Sequence, residues 1–168
     1  PGTYFDLARS GLGLYGLWPA KETLISWQQR GQEPLKLKPV LSWRTRVAQI
    51  KSVPAGSYVG YGCTYRTTRR SQLAVIPVGY YDGYDRSLSN TAYVLIKGHR
   101  AQLRGRVCMN FIMADVSDIS GVELEDRVTL LGSDGQEKIT AEQLAGLAGT
   151  ISYEIITRIN QLIPRVIV

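Results

Sequence analysis

Apolar and polar residues alternate with a period of two along the stretch that ends near Ala48. The apolar side of this pattern holds Leu41, Trp43, Thr45 and Val47. Such alternation is typical of a half-buried β-strand, which we expect to start near Leu37. Short apolar runs bounded by turn residues follow, and they predict strands over 73–78, 92–96, 101–107, 111–116 and 127–131. Lys97-Gly98 predicts a hairpin turn, and Ser133-Asp134-Gly135 predicts a turn before a short strand that ends at Ile139.

The period changes near the carboxyl end of the chain. Thr140 and Gln143 have the spacing of a capping box, which predicts a helix over 141–147. A second helix, capped by Thr150 or Ser152, is predicted before Pro164. Its apolar face would be formed by Ile151, Ile155, Ile159 and Leu162. Residues 166–168 predict a last short strand. The pattern favours a mainly β fold, an antiparallel barrel or sandwich with a short helical corner.

The first 36 residues differ from this β-rich region. Residues 1–18 combine an apolar strand end with a glycine-rich loop, 19–36 read as a linker or loop, and 37–168 form the predicted β-domain. Residues 11–16 match G-x-G-x-x-G, but no βαβ pattern follows, so we reject a dinucleotide fold. The glycines fit a phosphate-binding backbone or a plain turn equally well.

Composition places the chain among globular proteins with a basic bias. It has 168 residues, of which 44% are hydrophobic, and a net charge of +6. Such a length suits one compact domain. The densest basic run, at 66–70, is short and reads as a solvated loop. The alternative is a basic β-barrel that binds nucleic acid or an acidic partner.

The cysteines and the histidine limit the possible chemistry. Cys63 and Cys108 are far apart in the sequence, and His99 is the single histidine. Neither a disulfide framework nor a metal site is expected, and no Ser-His-Asp triad can form within the chain. Two free thiols, no signal peptide and no membrane span favour a cytoplasmic location.

Three segments could carry chemistry. Tyr61 lies between Gly60 and Gly62, so its phenol can approach a ligand closely, although on chemistry alone packing on a loop is the simpler explanation. Residues 79–86 are rich in Tyr, Asp and Gly and follow a predicted strand. A polar loop at the end of a strand is a good position for a functional site on a rigid scaffold. Cys108, in the third segment, lacks a histidine to activate it and reads as a buried thiol.

The order and spacing of these segments resemble those of alanine racemases. The similarity rests on Arg9-Ser10-Gly11-Leu12-Gly13-Leu14-Tyr15-Gly16, Tyr61-Gly62-Cys63-Thr64-Tyr65, Gly79 to Gly83 with Arg86, Gly105 to Met109, and Tyr153-Glu154. It extends over essentially the whole chain. The resemblance implies the β-rich carboxy-terminal part of a pyridoxal-phosphate enzyme, with residues 1–18 as the last strand and loop of an (α/β)8 barrel.

The resemblance also implies roles in cofactor binding. In that family, a barrel lysine binds pyridoxal 5'-phosphate. Arg9 would face the pyridine nitrogen and keep it unprotonated. The backbone N–H groups of Gly11 and Leu12 would hold the phosphate, with a further hydrogen bond from the Tyr153 hydroxyl.

Other residues would act on the substrate, alanine or serine, with alanine favoured by Tyr153. The resemblance makes Tyr61 a catalytic base that acts on the cofactor of the second subunit in a homodimer. The Met109 N–H would bind the substrate carboxylate. Tyr80, Arg86 and Arg106 would line the polar corridor through which the substrate enters. No nucleic acid or membrane is implied as a partner.

Two departures from the family pattern bear on activity. None of the lysines lies in a segment that resembles the cofactor-lysine motif, so the isolated segment is expected to be inactive. Asn110 stands where the family usually has Asp after Cys-Met, which changes the charge expected at the inner end of the corridor.

Overall fold

The computed structural model of the chain describes residues 6–7, 9–30 and 35–168. It divides into two compact units, Pro1–Leu41 and Ser42–Val168. The apolar strand end predicted near residue 5 and the Gly31 end of the predicted linker lie outside the described residues. Among the helices described, none is long and apolar enough to cross a membrane.

The first unit contains a 3-10 turn, Gly11–Tyr15, and the helix α1, Lys21–Gln29. The turn ends at Gly16, whose φ is +72° and where a Cβ atom would lie 1.8 Å from the carbonyl oxygen of Lys38. The prediction of a loop over 19–36 was wrong where α1 forms. This helix buries none of its residues. A helix is usually recognised in a sequence by the apolar stripe that it buries, and this signal was missing here.

The second unit is built from ten strands. They are β1 (Trp43–Arg46), β2 (Gln49–Val53), β3 (Tyr58–Val59), β4 (Tyr65–Arg66), β5 (Ser71–Ile76), β6 (Tyr93–Ile96), β7 (His99–Leu103), β8 (Ile112–Asp115), β9 (Arg127–Asp134) and β10 (Glu137–Ile139). All of the pairings are antiparallel. The mainly β prediction is confirmed, and β5 to β9 overlap the strands predicted from the apolar runs.

The main sheet curls because its first two strands lie at opposite edges. Its order is β1-β9-β6-β7-β8-β5-β2, with β10 on β9. The chain passes from β1 to β2 through Val47 and Ala48. The Val47 N–H donates to Asp126 O at 2.9 Å, and the Ala48 N–H donates to Val75 O at 2.9 Å. The long strand predicted from Leu37 is therefore wrong in its extent: it begins at Trp43 and bends at Val47 into a second strand.

The core lies inside the curl of this sheet. Val94, Leu95 and Ile96 on β6 are fully buried in succession, which places β6 in the interior, covered on both faces. Ile76 on β5 and Leu130 on β9 are also fully buried. Each such side chain stabilises the fold by about 1.5–3 kcal/mol relative to its exposed state.

Two helices, which pack against each other, follow the last strand. The predicted capping box of α2 (Ala141–Ala148) is confirmed: the Gln143 N–H donates to Thr140 Oγ1 at 3.2 Å, and the Thr140 N–H donates to Gln143 Oε1 at 2.8 Å. In contrast, α3 (Ser152–Thr157) begins after Ile151 with no side-chain cap, so the predicted cap was wrong.

The helix α3 also ends before the predicted stop at Pro164. The Asn160 N–H donates to Asp82 O at 3.0 Å, and this tertiary hydrogen bond turns the chain away from the helical path. Leu162 is consequently exposed rather than part of an apolar face. The strand predicted at 166–168 was also wrong, because these residues form no ladder and are exposed.

Candidate active site

Tyr61 lies at the tip of the hairpin formed by β3 and β4. It begins a 3-10 turn, Tyr61–Cys63, flanked by Gly60 at φ +74° and with Gly62 at φ +71°. Both backbone conformations favour glycine. The Tyr61 side chain is 69% exposed. Tyr61 is therefore not part of the buried core.

The hairpin rests on the loop that follows β7. A Cβ atom on Gly105 would lie 2.5 Å from the carbonyl oxygen of Val59, and Gly105 has a φ of +81°. A Cβ atom on Gly62 would lie 3.1 Å from Arg106 Nε. These close approaches explain why glycines occupy both sides of the contact, and they hold the Tyr61 turn against the 105–111 loop.

A third segment joins the same loop from the other side. The Tyr80 N–H donates to Cys108 O at 3.0 Å, and the Tyr81 N–H donates to Met109 O at 3.0 Å. At Gly79 a Cβ atom would lie 2.2 Å from both acceptor oxygens, so the two backbones pack without room for a side chain. The Met109 N–H, in contrast, donates to no other described residue.

These segments enclose a pocket of about 400 Å³. Its walls are formed by Tyr61, Tyr80, Arg86, Arg106, Val107, Cys108, Met109, Asn110 and Phe111. The structure thus brings together the residues that the sequence assigned to proton transfer, carboxylate binding and the corridor. Sequence reasoning did not assign Val107 and Phe111 to the site, because apolar residues beside strands usually signal core.

The pocket is cationic. Neither Arg86 nor Arg106 forms an ion pair with a carboxylate in the described ranges, and Arg106 Nε is buried without a hydrogen-bond partner. Asp82 forms no ion pair with either arginine, and its Oδ2 accepts from the Gly79 N–H at 2.9 Å. Asn110 at the rim adds no charge. A pocket with two uncompensated guanidinium groups favours an anionic ligand.

Asp85 does not neutralise these arginines because it has its own partners. Burial alone would raise its pKa. However, hydrogen bonds from Ser87 and the charge of Arg158 hold the pKa of Asp85 below its ordinary value. The Asp85 carboxylate accepts from the Ser87 N–H at 2.8 Å and pairs with Arg158 just beyond α3. Asp85 therefore links the 79–88 segment to the helical corner.

Cys108 contributes packing rather than nucleophilic chemistry. Burial raises the pKa of its thiol, against the lowering effect of the Tyr61 N–H and the Arg86 charge. Its thiol donates to Arg106 O at 3.4 Å. This agrees with the sequence interpretation of a buried thiol.

The residues expected to hold the cofactor are split between the two units. Arg9, Gly11 and Leu12 lie in the first unit, and Tyr153 lies on α3 in the second. Gly11 and Leu12 open the 3-10 turn, and N–H groups at such a start have no partner within the turn. This donor set fits a phosphate. The Tyr153 side chain is partly exposed, and its hydroxyl has no partner within the described part of the chain.

The basic run at 66–70 is largely engaged within the domain. Arg66 Nε donates to Gly56 O at 2.8 Å, Arg69 pairs with Asp118, and Arg70 Nε donates to Ser52 Oγ at 3.2 Å. These contacts weaken the alternative of a nucleic-acid surface. Within the described ranges, no group of three or more His, Cys, Asp or Glu side chains could hold a metal ion.

The curled antiparallel sheet and its helical corner define a β-barrel domain, with a cationic pocket beside the tyrosine-bearing hairpin. A family model described as "Alanine racemase, C-terminal domain" matches residues 40–167. The chain belongs to this family.

Curated relatives extend the similarity over the whole chain. An alanine racemase of Leptospira interrogans is 46% identical over 168 residues, which are 100% of this chain and 43% of the relative. One from Symbiobacterium thermophilum is 48% identical over 165 residues, covering 98% of this chain and 42% of the relative. The chain therefore spans less than half the length of these relatives.

Solved structures agree. Alanine racemase from Streptomyces lavendulae is 38% identical with a TM-score of 0.84 over 98% of this chain and 41% of that one. The Bacillus anthracis enzyme with bound L-Ala-P is 41% identical with a TM-score of 0.79, covering 89% and 36%. The Bartonella henselae enzyme with covalently bound pyridoxal phosphate is 32% identical, with a TM-score of 0.75 over 90% and 38%.

Proposed function

We propose that this chain is the carboxy-terminal part of a pyridoxal-phosphate-dependent alanine racemase that interconverts L- and D-alanine. The observation that carries the proposal is the exposed phenol of Tyr61, held between two glycines at the rim of a cationic pocket. Racemisation requires a proton to leave one face of the α-carbon and return on the other. Tyr61 supplies the group that exchanges the proton on one of these faces.

The other pocket residues bind and orient the substrate. The unpaired Met109 N–H donates to the substrate carboxylate, which is the anion that this pocket favours. Arg86, Arg106 and Tyr80 line the path by which the amino acid enters, and the two guanidinium charges raise the local concentration of anions. Alanine is the proposed substrate, and serine is the related amino acid against which specificity should be tested.

Pyridoxal phosphate, when bound, supplies the electron sink that acidifies the α-proton. Arg9 would face its pyridine nitrogen, while the N–H groups of Gly11 and Leu12 and the Tyr153 hydroxyl would hold its phosphate. The isolated chain is expected to be inactive, because none of its lysines matches the family's cofactor lysine. We place the protein in the cytoplasm, in keeping with its two free thiols.

We also propose that Tyr61 acts across a homodimer, on the cofactor of the second subunit. Support comes from the exposure of its neighbours: Met109, Phe111 and Tyr80 are apolar or aromatic residues exposed around the same pocket. An exposed apolar rim of this kind marks an interaction surface.

Replacing Tyr61 in the complete protein tests this function. Y61F removes the phenolic oxygen and keeps the ring, so racemisation starting from either enantiomer should fall about a thousandfold, within the range attributed to general acid–base groups. Bound cofactor, measured by its visible absorbance, should be unchanged. Y58F, on the same hairpin, is the matched control. Full activity of Y61F would refute the assignment of Tyr61.

A further inference from the structure

Asn90 joins the two segments that carry the proposed reactive groups, and it does so through its side chain. Its Nδ2 donates to Thr64 Oγ1 at 3.2 Å, and its Oδ1 accepts from the Gly105 N–H at 2.6 Å. Thr64 ends the turn that begins with Tyr61, and Gly105 begins the loop that contains Met109. One amide group thus connects the hairpin tip to the loop beneath it.

We propose that Asn90 is a positioning residue for racemisation, which fixes the Tyr61 phenol relative to the Met109 amide. This inference rests on the proposed function. Asn90 lines no part of the pocket and acts only through Thr64 and Gly105.

The hairpin requires such an external contact because it is very short. The strands β3 and β4 contain two residues each and form a separate two-stranded sheet. An isolated two-stranded hairpin is marginal in water. Its tip is therefore held by the packing of glycines on residues 105 and 106, by the Tyr61 N–H at the Cys108 thiol and by the Asn90 bridge.

The backbone at Asn90 suits this task. Asn90 has a φ of +62°, a left-handed conformation that asparagine tolerates better than most residues. The preceding residue strengthens the arrangement, since Ser89 Oγ accepts from the Val107 N–H at 3.0 Å. Consecutive side chains at 89 and 90 thus satisfy two backbone donors of the 105–111 loop.

Substitutions at 90 can separate the side chain from the backbone. N90G keeps the left-handed conformation and removes both hydrogen bonds. N90D keeps them in an altered form, because a carboxylate can accept from the Gly105 N–H and from the Thr64 hydroxyl. T64V removes only the hydrogen bond between Asn90 and Thr64. Q102L is a matched control: Gln102 Nε2 donates to the carbonyls of Asn90 and Thr91 at 3.4 and 3.1 Å and does not touch the hairpin tip.

Hydrogen exchange in the complete protein tests positioning without relying on activity. Peptides that span 58–66 should exchange about fivefold faster in N90G, the factor expected when one neutral hydrogen bond is lost, because only the bond to Thr64 reaches this segment. N90D and Q102L should stay within about twofold of the wild type. If N90G does not fold, T64V decides by the same measurement. Unchanged exchange in the folded variants would overturn the proposal.

Kinetics then distinguish positioning from a general loss of structure. In N90G, kcat should fall about tenfold, with KM within about twofold, since a misplaced base slows the chemical step more than binding. N90D should restore most of kcat, and Q102L should change neither constant. Equal losses in N90G and Q102L would reduce Asn90 to a structural role. If Y61F is active but exchange behaves as expected, the proposed function fails while the bridge stands.

Discussion

Asn110 determines the charge balance of the pocket at the scale of a single residue. It lies at a rim that contains two guanidinium groups, Arg86 and Arg106, neither of which has a carboxylate partner among the described residues. An aspartate at this position would introduce the missing anion. It would therefore compete with an incoming carboxylate for the same positive potential.

We predict that N110D weakens the binding of small carboxylates by about threefold to fivefold, the effect of one exposed charge pair. The measurement is the inhibition constant of acetate or propionate in the complete protein. The difference should shrink at high salt, because exposed charges are screened. N110Q keeps the pocket uncharged and should resemble the wild type. Equal inhibition constants in N110D and the wild type would show that Asn110 does not set the pocket's charge.

The Tyr61 hairpin depends on glycine at the contact between two elements. G105A would place a methyl group 2.5 Å from the carbonyl oxygen of Val59, at a backbone φ of +81°. We predict that G105A displaces the hairpin and costs about 2–4 kcal/mol of unfolding free energy, combining overpacking with left-handed strain. Urea denaturation measures this cost, and turnover should fall with it.

The matched control is G146A in α2. A Cβ atom at position 146 meets no atom within 4 Å, and the residue lies inside a helix. The same substitution should therefore stabilise the protein by about 0.5–1 kcal/mol. If G105A were as benign as G146A, the close approach between the hairpin and the loop would not govern the position of Tyr61.

The ion pair of Asp85 with Arg158, which links the 79–88 segment to the helical corner, should depend on pH. The pKa of Asp85 is lowered in the folded state by Ser87 and Arg158, against the effect of burial. Its stabilising contribution is thus present above the unfolded pKa of about 3.9 and is lost as the pH falls through the lower folded value.

We predict that D85N destabilises the protein by about 1 kcal/mol at pH 7, since Arg158 is partly exposed. The difference from the wild type should vanish towards pH 2. Unfolding free energies from urea titrations across this range measure it. D118N removes an exposed pair with Arg69 and should change stability little at any pH. A deficit in D85N that persisted at low pH would indicate lost packing instead.

How far the sequence predicts these elements depends on which interactions form them. The strands β5 to β9 follow from apolar runs that bury their side chains, and the cap of α2 follows from contacts three residues apart. The bend at Val47 depends on hydrogen bonds to two distant parts of the chain, at Asp126 before β9 and at Val75 on β5. The helix α1 buries nothing, and the end of α3 depends on Asp82. Local periodicity contains none of this information.

The candidate site shows the same division. Tyr61 and Met109 were assigned from the resemblance to a family, and both line one pocket. The bridging role of Asn90 had no sequence signal, because its two partners are 26 and 15 residues away. Residues that act through distant backbone groups become visible only when the loops are folded together.

At the scale of the whole molecule, the proposed action of Tyr61 across a homodimer predicts how two subunits share each site. In a symmetric homodimer in which the hairpin of each subunit reaches the site of the other, every site contains the Tyr61 of one subunit and the cofactor lysine of the other. Two variants of the complete protein, Y61F and one without the cofactor lysine, would each be inactive alone. A mixed dimer of the two would contain one site in which both groups are intact.

We therefore predict that subunit exchange between these two inactive variants restores activity to about a quarter of the wild-type value. This follows because half of the dimers in an equal random mixture are hybrids, each with one intact site of two. Turnover of L-alanine before and after exchange measures the restored activity. The controls are mixtures of either single variant with a double variant that has Y61F and lacks the cofactor lysine. A tyrosine that served its own subunit's cofactor would yield no activity in any hybrid, since no single subunit would then contain both groups.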